Sequence, residues 1–220
     1  MARSPILFDI SWASQVVPAI AYLATPHRTR AGGAIALGAM VSAVANVVSK
    51  VLAAVYHNNM VVSYISSPVT ALCFFYALHE WQLTAREQRV IRVGMWVFLP
   101  VWVLLVAFVE DVRNFTVVTG PLYSLTLLVA ATWTLMRRAN ATEVASLFQT
   151  DWFWVTLGIA VYGAATAASE PIGGILLARQ RLDLFYLAWQ VRAVFSTLSY
   201  LMMSWGIYRG PLVSRSLTVA

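Results

Sequence analysis

GGAIALGAMVSAVANVVSKVLAAVY, residues 32–56, runs for 25 residues with a single charge, Lys50. Coiled as a helix it would be about 38 Å long at about 1.5 Å per residue, enough to cross a hydrocarbon layer of about 30 Å with some tilt. Within it Gly38, Ser42, Asn46 and Lys50 recur every fourth residue and share one face. In lipid, a row of small and polar groups belongs against protein. The stretch therefore predicts both a membrane span and a bundle for that span to pack into.

Six further apolar runs meet or approach the same length, at Pro5–Leu23, Met60–Leu78, Val93–Val109, Phe115–Met136, Trp152–Ser169 and Leu184–Ile207. Together they predict an all-α integral membrane protein, one transmembrane domain of seven helices over residues 1–220. Composition agrees: 60% of residues are hydrophobic, 11% are charged and the mean hydropathy is +0.72. Such a chain cannot hide its apolar surface in one aqueous core, so lipid must cover the outside. Gly173 and Gly174 predict a break after the sixth run, leaving Ile172–Ala178 as an external loop or short interfacial helix. The stretch around Ala141, Glu143, Ala145 and Leu147 is expected to lie flat at the interface.

Arginine placement orients the bundle. With the N-terminus outside, the inner connections hold Arg28, Arg30, Arg86, Arg89, Arg92, Arg137, Arg138, Arg209 and Arg215, nine in all, and the outer ones hold four, Arg3, Arg113, Arg179 and Arg181. The excess predicts N-terminus outside and C-terminus inside. Trp81, Trp96, Trp133, Trp152, Trp154 and Trp205 fall near the inner boundary and Trp12 near the outer one, as an aromatic belt would. The expected location is the inner (plasma) membrane of a bacterium, with membrane lipids as constant partners.

Several classes drop out. The basic residues punctuate apolar runs instead of clustering on a polar face, so nucleic acid is not an expected partner. Cys73 is the only cysteine and allows no internal disulfide. The first run carries Asp9, lacks a clean cleavage site and is expected to stay as a helix. No soluble output domain is seen, so any output would pass through a separate membrane or cytoplasmic protein or a second copy of the chain.

The charges at membrane depth are the candidates for function. Lys50 lies about 9 Å from the outer end of its helix and Arg192 about 12 Å, at about 1.5 Å per residue. A guanidinium at that depth costs several kcal/mol against lipid, so Arg192 should face the bundle and a carboxylate or bound anion. Tyr162, Thr166 and Glu170 share a face, which makes Glu170 the preferred partner of Arg192. Asp9 is a second outer acid. Glu110 and Asp111, adjacent at a helix end beside Arg113, read as solvated at the headgroups. Trp189 and Ser196 flank Arg192 at helical spacing, and Tyr56, His57 and Tyr64 border the outer turn near the Pro68 kink. The candidate ligand-binding set is thus Asp9, Asn46, Lys50, Tyr56, His57, Tyr64, Glu170, Trp189, Arg192 and Ser196.

Familiar membrane chemistries find no residues. His27 and His79 fall inside and His57 outside, so three histidines cannot converge on zinc. No histidine neighbours a nucleophile at depth. A retinal Schiff base in the last helix would need a lysine there, and Lys50 is the only lysine. No cofactor, metal or catalytic residue is expected. A noncovalent lipophilic ligand would fit an aromatic pocket of Phe74, Phe75, Trp102, Trp189 and Phe195. No internal repeat supports a sugar-transporter arrangement, and no motif names a family. The leading expectation is a receptor or sensor with an outward-facing polar pocket for a small or lipophilic ligand. A small-solute transporter, a lipid-acting membrane enzyme and a structural subunit of a larger complex follow as alternatives.

Overall fold

The computed structural model describes residues 6–26, 28–56, 59–112, 116, 118–141 and 147–217, with side chains described as far as Arg209. Among these the chain is all helical: α1 (Ile6–Ser14), α2 (Val17–Ala24), α3 (Arg30–Tyr56), α4 (Met60–Glu80), α5 (Ala85–Phe108), α6 (Thr119–Ala139), α7 (Asp151–Ala178) and α8 (Leu182–Leu217). Pro18 near the start of α2 has no N–H to give the preceding turn, so the ladder breaks there and α1 and α2 form one jointed span. Gln15 N–H to Trp12 O and Val16 N–H to Ala13 O, both 3.2 Å, tighten the joint.

Hydropathy divides the helices. Five spans among the described residues are long and apolar enough to cross a membrane: Ile6–Ala24, α3, α4, α5 and α7. The helices α6 and α8 have the length but are not in that group, and both bury hydroxyls inside the bundle, Thr119, Ser124 and Thr134 on one and Ser196, Ser199 and Ser204 on the other. Outside, large apolar side chains such as Val47, Val103, Phe108 and Val129 are exposed. An interior holding hydroxyls and an exterior of valine and phenylalanine describe a membrane-spanning helical bundle.

The helix α7 sits between α6 and α8 in the most extensive contacts of the molecule. Small residues permit it. A Cβ at Gly163 would lie 3.0 Å from α6 backbone at Ser124 and Leu128, and one at Gly158 would lie 2.8 Å from the Ser199 carbonyl of α8. The spans α1–α2 lie against α8 and reach α3, α3 packs on α4, and α4 meets α6. The helix α5 rests on α4 and touches α6 only slightly. Ile35, Phe74, Leu78, Leu127, Ile159, Tyr200 and Met203 form the fully buried core.

Several expectations are corrected. No break follows Ser169: α7 continues through the two glycines to Ala178, and Gly173 is buried because the ring of Trp189 takes the place of its side chain. The α7–α8 turn is only Arg179–Arg181, closed by Arg181 N–H to Leu176 O (2.9 Å) and Gln180 N–H to Leu177 O (3.0 Å), with Gln180 at φ 56° where glycine is usual. The helix α5 extends beyond its apolar run and begins at Ala85, where Thr84 and Glu87 form a capping box. Trp96 and Trp205 are exposed, but Trp81 and Trp152 are buried and belong to the core instead of a belt. Most of the flat interfacial segment, 142–146, lies outside the described residues.

Candidate functional site

Glu170 closes the buried face of α7 and is only 7% exposed. Arg192, one helix away on α8, donates from Nη2 to Glu170 Oε1 at 3.1 Å. The guanidinium also lies over the ring of Trp189, 4.9 Å from its centre, and that ring stacks with Phe185 at 4.7 Å. Trp189 can stand there because Gly173 is bare, so the glycine positions the tryptophan and the tryptophan positions the arginine.

The second carboxylate oxygen makes no hydrogen bond. Glu170 Oε2 is buried without a partner and points at Gly120 in the first turn of α6, where a Cβ would come within 1.9 Å of it. Glu110 approaches the same helix end: its carboxylate accepts from Val118 N–H at 2.6 Å, from Thr119 N–H at 3.3 Å and from the Thr119 hydroxyl. It thereby caps α6, where donors are unpaired and the dipole favours an anion. Among the described residues, two carboxylates and one guanidinium thus gather at the α6 end.

Beneath lies a layer of tyrosines. Tyr123 and Tyr162 approach hydroxyl to hydroxyl at 3.4 Å, and the Tyr162 and Tyr200 rings meet at 5.9 Å. Tyr200 Oη and Thr166 Oγ1 are buried without a hydrogen bond. Ser42 on α3 bonds Thr70 on α4 at 3.1 Å beside this layer.

The structure distributes the sequence-derived candidates over two places. Glu170, Arg192 and Trp189 meet, and Ser196 is buried one turn below Arg192. Tyr64 is also buried, its carbonyl accepting from Trp102 Nε1 at 3.2 Å. Asp9, Asn46 and Lys50 belong instead to the α1–α3 contact. Lys50 Nζ lies 3.3 Å from Asp9 Oδ1 and 3.6 Å from the centre of the Trp12 ring, with both charged side chains about half exposed. Asn46 Nδ2 donates to Gln15 Oε1 at 2.8 Å. Tyr56 is exposed, and His57 lies outside the described residues.

The expected aromatic pocket does not assemble. Phe75, Phe98 and Trp102 pack on one another near α4 and α5, whereas Trp189 and Phe195 are on α8 and Phe195 faces outward. Glu110, expected in solvent, is the residue that sequence reasoning missed. Its signal is the Gly120–Pro121 pair downstream, a helix start in need of an anion. Outside the spans, the bond from Arg181 to Asp183 holds that exposed carboxyl below its usual range.

Among the described residues no group of three or more His, Cys, Asp or Glu side chains is arranged to hold a metal ion. No protein-family model, no curated protein and no solved structure matches the chain.

Proposed function

We propose that the chain is a seven-span ligand-binding protein of the receptor or sensor type, with the N-terminus outside and the C-terminus inside a bacterial inner membrane. The site is the Glu170 cluster, which then opens to the outer face. The observation that carries this reading is the unbonded, buried Oε2 of Glu170. A pair serving only as helix glue would satisfy both oxygens, since an unpaired polar atom at depth costs free energy. A ligand with an N–H or O–H donor would complete the site.

The nine-to-four arginine distribution supports the orientation. A transport reading has one observation in its favour: the hydroxyls of Tyr123, Tyr162 and Tyr200 continue polar groups inward from the ion pair.

The test is small-molecule mass spectrometry of the protein extracted mildly from its own membrane. A donor-bearing compound is expected to accompany the wild type and to be lost from Glu170→Gln and Arg192→Ala at unchanged helical content. No bound compound in the wild type, or the same compound in all three, would remove the site. Flux of the identified compound into proteoliposomes would move the assignment to transport.

A further inference from the structure

On the outside of the bundle, the slight contact between α5 and α6 leaves a groove of about 550 Å³, lined from Leu122 to Trp133 on α6. Val90, Gly94, Val97 and Val101 form one wall, and Leu125 and Val129 lie on the other. From Val90 to Val101 the wall rises about 16 Å at about 1.5 Å per residue, close to half of a hydrocarbon core of about 30 Å. The groove is one leaflet long.

Its shape and its mouth both point to an occupant. Gly94 stands mid-wall, where a Cβ would meet nothing within 4 Å. A glycine inside a helix weakens that helix, and no neighbouring part of the protein needs the space it leaves. One turn beyond Val90 on the same row is Arg86, which is exposed. One turn beyond Trp133 is Arg137, whose Nε and Nη2 hold Glu87 at 2.7 and 2.6 Å while the side chain stays 57% exposed. Its other Nη carries further donors, and a guanidinium fork suits a phosphate.

A second groove shows that apolar walls alone do not create this arrangement. Between α3 and α4 lies a cleft of about 570 Å³ with equally apolar walls. Beyond Leu37, Leu52 and Val69 its rows run on to Gly33, Tyr56 and Cys73, none of them cationic, and beyond Val61 to His57, which lies outside the described residues.

We propose that the α5–α6 groove binds one anionic glycerophospholipid, with an acyl chain along Val90 to Val101 and its phosphate between Arg86 and Arg137. The site is separate from the Glu170 cluster and does not depend on what binds there.

Native mass spectrometry of the full chain released from nanodiscs of equal phosphatidylglycerol and phosphatidylcholine tests this. The wild type is expected to retain one phosphatidylglycerol. Gly94→Phe fills the groove and should lose it, whereas Ala45→Phe in the α3–α4 cleft should keep it. Arg86→Gln should lower the preference for phosphatidylglycerol by about fivefold, the effect of one arginine near an anionic surface. Equal retention of the two lipids by the wild type overturns the proposal. So does unchanged phosphatidylglycerol in a Gly94→Phe variant of native helical content. A dimer that Gly94→Phe dissociates would give the groove to a second copy and overturn it too.

Discussion

Glu170 and Arg192 are held by different constraints, and the difference predicts how each tolerates loss. Glu170 is walled in by Gly120, while Arg192 keeps a fifth of its side chain exposed. Removing one member of a buried pair strands the other's charge, and replacing both is far milder. Arg192→Met should therefore cost about 2–3 kcal/mol, below the usual loss for a fully buried pair because water still reaches the arginine. Adding Glu170→Gln should restore at least half of it. Thermal unfolding of the three proteins in one detergent checks this, and a double variant no more stable than Arg192→Met would show that no charge had been stranded. The pair was legible in the sequence because an arginine eight residues inside an apolar run has few places to go. Glu110 was not, because an acid at a helix end looks the same whether it meets water or the N-terminus of the next helix. Only the fold returns α6 to it. Lys50 shows the converse, since its depth also suggested the site and its partner proved to be Asp9 at the surface.

At the scale of elements, glycines separate packing from propensity. Gly158 lies under the Ser199 carbonyl and the Met203 side chain, so a methyl there must push α7 and α8 apart. Gly94 has open space. Gly158→Ala is expected to destabilise by about 1–3 kcal/mol through overpacking. Gly94→Ala is expected to stabilise by roughly 1 kcal/mol through helix propensity. Paired thermal melts would read the opposite signs, and a shared sign would mean that one environment has been misjudged. The same distinction explains where element prediction failed. Gly173 and Gly174 read as a helix break because propensity is local, yet the space at Gly173 is filled by Trp189, sixteen residues further along the chain. The early start of α5 was written in Thr84 and Glu87, a capping signal overshadowed by the charges around it.

For the whole molecule, apolar run length was sufficient to find the helices, because a membrane imposes a minimum length that propensity alone does not. The arrangement of those helices was not readable, since it depends on which small residues face each other. Orientation is tested directly by labelling. In a Cys73→Ser background, Gln180→Cys should react with a membrane-impermeant maleimide on intact cells, and Leu83→Cys only after permeabilisation. The reverse pattern would invert the bundle.

The three-residue turn between α7 and α8 has a consequence for biosynthesis. Arg192 interrupts the apolar run of α8, and the turn leaves no slack for α8 to wait apart from α7. With the N-terminus outside, the insertion machinery must pass Arg179, Arg181 and Asp183 across as the tip of a helical hairpin. The bond between Arg181 and Asp183 cancels part of the charge carried over. Arg192 of α8 then enters the membrane already facing Glu170 of α7, so insertion of this hairpin and formation of the ion pair are one event.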